Sequence, residues 1–221
     1  MRDATAFDGF PPDSLELYAL LEQDNSRERW HSIKPVWERT VRDPMLDLLE
    51  LLADEFDPEG TAKLFRPNRD VRFSADKTPY KTHQGAFVTA RGSAGYYVQL
   101  SADGLLAGGG FRSRGTAETA SFRRAVDRPV PGAALEQVVT TLETSGFEIG
   151  GDAVKTSPRG YPADHPRIAL LRHKELRATR TFGAPGWLAT DQVVDEVRDA
   201  WRAIRPLVDW CGEHLAHREA D

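Results

Sequence analysis

Residues 85–109 read GAFVTARGSAGYYVQLSADGLLAGG, three apolar stretches joined by two short links that contain glycine. The stretches at 85–90, 96–100 and 105–109 predict β-strands. Turns are predicted between them, at 92–93 and 103–104. Because links this short join neighbouring strands that run in opposite directions, the segment predicts an antiparallel meander.

Helical patterns precede this meander. A D-x-x-E start at Asp13 is typical of a capping box and predicts a first helix. A second helix is predicted to begin at Asn25 or Ser26. A third is predicted to begin with Asp43 as its cap and Pro44 at the first helical position, a site where proline is favoured. We therefore expect three amphipathic helices before the sheet.

Helices are also predicted after the meander, at 116–126 and 133–145. From Thr190, a favoured cap residue, apolar side chains recur every three or four positions. These positions are Val193, Val197, Trp201, Ile204, Val208, Cys211 and Leu215. Pro206 lies within this stripe and is expected to disturb the helix. The fold class is α+β: an antiparallel sheet (meander) packed with helices and a long C-terminal amphipathic helix.

Shorter segments are less decisive. A strand is predicted at 71–73, with Val71 and Phe73 directed inward. Extended segments are also predicted at 153–157 and 177–182. The stretch at 169–173 is compatible with either a strand or a helix, and periodicity alone does not decide between them.

Composition limits the class of protein. The 221 residues are 40% apolar and 29% charged, with a net charge of −5, which predicts a single globular domain over residues 1–221 with short flexible tails at both ends. No apolar run approaches the roughly 20 residues needed to cross a bilayer, and the opening residues lack a secretion signal. We therefore expect a cytoplasmic protein that does not bind membranes.

Positive charge is concentrated in residues 63–83, which read KLFRPNRDVRFSADKTPYKTH and carry a charge of +4, while the rest of the chain carries −9. Arginine forks and lysine ammonium groups suit phosphate or carboxylate. The residues predicted to bind such an anion are Arg66, Arg69, Arg72, Lys77 and Lys81. An alternative stays open, in which these arginines pair with Asp70, Asp76 or the acidic helices and only fix the loop. The acidic remainder makes nucleic-acid binding the least favoured function.

Two histidines are candidates for acid–base chemistry. His83 ends the basic segment, and an imidazole titrates near neutral pH. His165 lies in PRGYPADHP at 158–166, a proline-rich stretch that predicts a rigid loop, which also offers Arg159 and Tyr161 to a ligand. Asp164 in this loop is predicted to cap the segment that begins at Pro166. For both histidines, a place in a structural hydrogen-bond network is the alternative.

Other chemistries find little support in the sequence. The phosphate-loop and dinucleotide fingerprints are both missing, so we predict no cofactor. A single cysteine, Cys211, and the spacing of the histidines predict no metal site. The glycines at 108–110 precede Arg112, Arg114 and a helix start, a weak anion signal that a bulge or close strand packing also explains.

Three stretches together resemble the DUF2461 family: FDGFP at 7–11, RDVRFSADKTPYKTH at 69–83 and PRGYPADHP at 158–166. The GYYV strand at 95–98 and the glycines that follow it also match. The chain departs from the family pattern at 111–116, where it reads FRSRGT. The resemblance covers nearly the whole chain, supports the α+β assignment and implies no activity.

Two functions follow from these observations. The first is a basic pocket that binds a small phosphorylated or carboxylated ligand, with a histidine available for proton transfer. The second is a non-enzymatic protein that docks an acidic protein partner through an open basic strip. A deep pocket would favour the first function, and an open surface would favour the second.

Overall fold

The computed structural model describes residues 7–57, 59, 61–72 and 74–215, so the expected tails and Phe73 lie outside the described residues. The chain divides into two compact units. The first unit draws on Met1–Val88, Tyr97–Ala107 and Thr181–Asp199. The second unit draws on Thr89–Tyr96, Gly108–Arg180 and Ala200–Asp221.

Six strands of the described residues form one antiparallel sheet, in the order β1-β2-β3-β4-β6-β5. Their bounds, from β1 to β6, are Lys63–Leu64, His83–Arg91, Ala94–Ser101, Gly104–Arg112, Glu148–Gly150 and Glu175–Gly183. The predicted meander is confirmed as β2, β3 and β4. Gly92 and Gly104 in its two links have φ values of +63° and +103°, which glycine adopts without steric cost.

The alternation of side chains along β3 agrees with its sequence pattern. Tyr96, Val98 and Leu100 are buried, whereas Tyr97 and Gln99 are half-buried. Successive side chains of a strand point to opposite faces, so one face of β3 belongs to the core.

The strand predicted at 71–73 is wrong over its described residues. Arg72 lies in a turn, and the Asp70 carboxylate accepts hydrogen bonds from the backbone and side chain of Arg72. An aspartate that bonds locally in this way competes with strand pairing. The first edge strand is instead β1, where Lys63 lies opposite Phe87 of β2.

Of the remaining short segments, one predicted strand is confirmed and another is reduced to a single bridge. The strand predicted at 177–182 is confirmed within β6, which pairs with the unpredicted β5. In the segment predicted at 153–157, only Ala153 forms a bridge, to His173. The open stretch at 169–173 contains a short helix.

Three helices of the first unit precede the sheet, as predicted: α1 (Asp13–Gln23), α2 (Arg27–Trp37) and α3 (Asp43–Phe56). Ser26 is confirmed as a cap, because its hydroxyl accepts the Arg29 amide at 3.1 Å. The predicted capping box is wrong, since Asp13 is itself helical and no side chain caps α1.

A single π-helical turn, Glu38–Arg42, joins α2 to α3 without a break, where a new cap at Asp43 was predicted. The Asp43 amide bonds to the Glu38 carbonyl, five residues earlier. Pro44 follows immediately and has no amide hydrogen to continue an α-helical ladder. The wide turn thus lies where proline interrupts the regular bonding pattern.

The later helices are α4 (Thr116–Asp127), α5 (Pro129–Thr144), α6 (Ile168–Leu171) and α7 (Gln192–Leu215). Thr190 acts as predicted before α7, since its hydroxyl accepts the Gln192 amide at 3.3 Å. Every predicted stripe position of α7 is buried, and Pro206 lies inside the helix. Among the described residues, none of the helices combines the length and apolar character that crossing a bilayer requires.

The glycines of β4 are explained by close packing of strands in the second unit. A Cβ atom on Gly110 would lie 2.1 Å from the Leu176 carbonyl oxygen, and one on Gly108 would lie 2.9 Å from the Ala178 oxygen. Both oxygens belong to β6. Larger side chains at these two positions would push β4 away from β6.

Candidate functional site

The basic segment is anchored at one end by the link between α1 and α2. The Asn25 side chain accepts a hydrogen bond from the Tyr80 amide at 2.9 Å and donates one to the Tyr80 carbonyl at 3.1 Å. The Tyr80 ring is buried and stacks on Trp30, with ring centroids 4.7 Å apart. Residues 79–83 are therefore held in a defined conformation by contacts far away in sequence.

A short antiparallel contact within the segment reinforces this anchor. Asn68 bridges to Tyr80, the Arg69 amide donates to the Pro79 carbonyl, and the Lys81 amide donates to the Pro67 carbonyl, both at 2.8 Å. The bonds hold the two parts of the segment side by side.

A cavity of about 480 Å³ occurs elsewhere in the chain, but the anchored part of the basic segment borders its own cavity of about 410 Å³. We call this second space the basic-segment cavity. The residues that line it all belong to the first unit: Glu22, Asn25, Arg69, Asp76, Thr78, Tyr80, Lys81, Thr82 and His83. Its volume lies within the range of small-molecule sites.

Lys81 is a cation of this cavity for which the described part of the chain shows no acidic partner. Its ammonium donates to the Arg66 carbonyl at 2.8 Å and lies 5.3 Å from the centroid of the Phe65 ring. Among the described residues, no carboxylate forms an ion pair with it. Partial burial lowers the pKa of Lys81, and the positive charge of Arg66 lowers it further.

His83 lies beside these cations as the first residue of β2. Burial lowers the pKa of His83, and the positive charges of Lys81 and Arg69 lower it further. The imidazole is therefore neutral at neutral pH and able to accept a proton. An anion in the cavity would oppose the effect of the two cations.

Arg69 contributes to the cavity as part of a local ion pair. Its guanidinium donates to the Asp76 carboxylate and to the Thr78 hydroxyl. These contacts hold the pKa of Asp76 at about 2, mainly through the bond from Arg69. Arg69 is thus positioned, although part of its charge is compensated.

The other predicted cations of the segment, Arg66, Arg72 and Lys77, are exposed and do not line the cavity. Arg72 makes a two-point contact with Asp70, at 2.9 and 2.7 Å, and is 76% exposed. Lys77 donates to the Val71 carbonyl at 2.9 Å. Arg72 thus makes the kind of ion pair that the structural alternative predicted.

The late motif at 158–166 belongs to the second unit, and His165 is its most connected residue. The Nε2 atom of His165 lies 3.1 Å from an Asp127 carboxylate oxygen, and its Nδ1 atom accepts the Arg167 amide at 3.0 Å. Because Nδ1 accepts, a proton on the neutral ring must reside on Nε2. Both nitrogens therefore take part in a structural network.

This arrangement corrects the prediction for Asp164. Asp164 is exposed, and no side chain caps α6, which begins only at Ile168. The Arg167 amide donates a hydrogen bond to the His165 ring instead. A turn at residues 166–167 separates Asp164 from the start of α6.

Tyr161 and Arg159 complete the description of the late motif. The Tyr161 ring meets the His165 ring edge to face, with centroids 6.1 Å apart. Burial raises the pKa of Tyr161, and Asp127 raises it further. Arg159 is exposed. The structure thus groups Tyr161 with His165 and Asp127.

Sequence reasoning missed Glu22 and Asn25 as residues that line the basic-segment cavity. The sequence did contain one indication for Asn25. Asn25 and Ser26 were alternative caps for α2, and a helix uses only one cap, so the other side chain was available for another contact. Ser26 caps the helix, which leaves the Asn25 amide to bind Tyr80. No cluster of metal-ligating side chains occurs in the part of the chain that the structure describes.

Comparison with known proteins identifies a family. No curated protein and no solved structure matches the chain. The sequence pattern described as "Conserved hypothetical protein (DUF2461)" matches residues 13–210, which include both the basic segment and the late motif. The chain therefore belongs to the DUF2461 family.

Proposed function

We propose that the basic-segment cavity binds a small phosphorylated or carboxylated ligand. The observation that carries the proposal is the position of Lys81, a partly buried cation without a carboxylate partner among the described residues, at the wall of a 410 Å³ cavity. A ligand anion would supply the missing countercharge. The site needs residues of the first unit only.

Three side chains have distinct roles in this proposal. Lys81 binds the anion, and Arg69, fixed by Asp76 and Thr78, adds a second donor group. His83 is neutral at neutral pH and is the group available to take or return a proton. Acid–base chemistry on an anionic substrate is the reaction class that fits these groups.

The test compares Lys81→Gln with Arg72→Gln by isothermal titration calorimetry. Each variant removes one positive charge from the basic segment, but only Lys81 lines the cavity. Sulfate and citrate serve as phosphate-like and carboxylate probes. We expect Lys81→Gln to weaken binding about tenfold or more, since a hydrogen bond to a charged group contributes about 1.5–3 kcal/mol, whereas Arg72→Gln should bind nearly as the wild type.

The pH dependence gives a second readout of the same site. Bound sulfate keeps its charge across neutral pH and raises the pKa of His83, so binding should take up a proton and strengthen as the pH falls. His83→Gln should remove this dependence. Sulfate binding that is insensitive to both Lys81→Gln and His83→Gln would contradict the proposal.

A second candidate is the docking of an acidic protein partner through the exposed side of the segment. The observation that favours it is the exposure of Lys63, Arg66, Arg72 and Lys77 outside the cavity. It predicts that an acidic peptide such as poly-glutamate binds, and that Arg72→Gln and Lys77→Gln weaken this binding more than Lys81→Gln does. The pair Lys81→Gln and Arg72→Gln thus separates the two functions.

A further inference from the structure

The cavity of about 480 Å³ is lined by residues of the second unit and shares none of them with the basic-segment cavity. We call it the α4 cavity. Its lining comes from the end of β4, the first turns of α4, the loop after β5 and the start of β6. It includes Arg112 in the FRSRGT stretch at 111–116.

Three cations line the α4 cavity from separate parts of the chain: Arg112 at the end of β4, Arg123 on α4 and Lys174 just before β6. The Arg123 guanidinium is held in place because its Nε atom donates to the Leu171 carbonyl at 2.9 Å. Its terminal nitrogens are not used by that bond. A fixed guanidinium is well suited to recognise a phosphate group.

Two carboxylates also line the cavity, but they compensate the cations weakly. The Lys174–Asp152 and Arg112–Glu175 pairs are both 3.6 Å apart, longer than a hydrogen bond. Glu175 makes its close contact, 2.6 Å, with Arg177, which does not line the cavity. Arg112 is 83% exposed, so its weak pair leaves its donors able to turn toward a ligand.

The rest of the lining indicates what a phosphate would be attached to. The hydroxyl group of Thr116 and the carboxylate of Asp152 can form hydrogen bonds with ligand hydroxyls. The hydroxyls of Ser113 and Thr119 bond to each other and to the backbone of Gly115, which fixes this side of the cavity. Among the described residues that line the cavity, none is aromatic, so a nucleobase finds no ring to stack on. The lining therefore favours a hydroxylated ligand over a nucleotide.

We propose that the α4 cavity binds a phosphomonoester of a hydroxylated small molecule, of the sugar phosphate class. Arg112, Arg123 and Lys174 bind the phosphate group, and Asp152 accepts hydrogen bonds from ligand hydroxyls. The volume of the cavity admits a molecule of that size.

The test exploits two arginines that share one carboxylate. Arg112 and Arg177 both pair with Glu175, but only Arg112 lines the cavity. Arg112→Gln and Arg177→Gln therefore remove the same charge and release the same partner. Titration calorimetry is performed on the full chain with glucose 6-phosphate, ribose 5-phosphate, glucose and inorganic phosphate. All variants and the reference protein also carry Lys81→Gln, so that binding in the basic-segment cavity is weakened equally in each of them.

We expect both sugar phosphates to bind more tightly than inorganic phosphate or glucose. Arg112→Gln and Lys174→Gln should each weaken binding about tenfold, the effect of one lost charge-assisted contact, and Arg177→Gln should change it little. Asp152→Asn should strengthen the binding of inorganic phosphate, since it removes a negative charge from the cavity.

Two results would overturn the proposal. One is the lack of binding of either sugar phosphate at millimolar concentration by a wild-type cavity. The other is equal weakening by Arg112→Gln and Arg177→Gln, which would show that the anion senses only the general surface charge. Near-ultraviolet circular dichroism of each variant confirms that the fold is kept.

Discussion

The two parts of the basic segment differ in how their charge is neutralised. Between residues 70 and 77, the acids and bases belong to the same loop, and Asp70 pairs with Arg72 two residues away. Between residues 79 and 83, the chain is fixed by Asn25 and Trp30, and Lys81 lines a cavity without an acidic partner among the described residues. Charges that are close in sequence therefore lie in two different environments.

This difference shows that a cluster of like charges is not itself a site. Lys81 differs from its neighbours because distant parts of the chain hold the residues around it and because it is partly buried. Exposed ion pairs such as Arg72–Asp70 contribute little to stability, because water and salt screen them. The anchor, rather than the number of cations, distinguishes the two parts.

The largest expected effect comes from removing the anchor. Trp30 is buried and contacts both Tyr80 and Trp37, with centroids 4.7 and 5.2 Å away. Trp30→Ala should lower the free energy of unfolding by about 3–5 kcal/mol, as is typical of large-to-small core substitutions. Urea denaturation measures this change. Arg72→Ala, at the exposed part of the segment, should leave the urea midpoint unchanged. Similar losses of stability in both variants would show that the two parts of the segment do not differ in their anchoring.

A smaller effect is expected at Asn25. Asn25→Ala leaves the amide and carbonyl of Tyr80 without their side-chain partner, which should lower the free energy of unfolding by about 1–3 kcal/mol. Sulfate binding should weaken as well, since the same bonds position Lys81. Chemical denaturation and calorimetry on one sample measure both quantities. Loss of stability with unchanged sulfate affinity would show that the anchor does not shape the cavity.

The smallest effect is the pH dependence of stability that His83 contributes. Its pKa is lowered in the folded protein, so between that value and the ordinary value of about 6.5 the unfolded chain binds more protons. Stability should therefore decrease as the pH falls through about 6.5, and His83→Gln should lessen the decrease. Urea unfolding at about pH 7.5 and about pH 5.5 tests this sign. Parallel decreases in the two proteins would exclude His83 as the cause.

Much of the fold was predictable because its signals are local. The three strands of the meander, the Ser26 cap and the stripe of α7 each follow from residues a few positions apart. The strand expected at 71–73 was wrong because Asp70 bonds to Arg72 in a turn. The caps expected at Asp13 and Asp164 were wrong because the backbone starts each helix at another position than the sequence suggests: Asp13 is itself helical, and α6 begins only at Ile168.

The candidate site was predictable only in part. Arg69, Lys81 and His83 were expected from the run of charge, and all three line the basic-segment cavity. Sequence alone does not separate them from Arg72 and Lys77, because the separation depends on contacts with Asn25, 55 residues before Tyr80. The α4 cavity was even harder to predict from the sequence, since its three cations come from parts of the chain as far apart as residues 112 and 174.

The π-helical turn between α2 and α3 has a consequence for the length of the chain. Successive residues of an α-helix are rotated by about 100° around its axis. One residue more or fewer therefore changes which side of the helix all the following side chains face. The wide turn at Glu38–Arg42 lets buried residues of α2, such as Trp37, and of α3, such as Met45 and Leu48, remain parts of one unit's core. Inserting or deleting one residue between Trp37 and Met45 would therefore rotate the buried face of α3 by about 100° relative to that of α2.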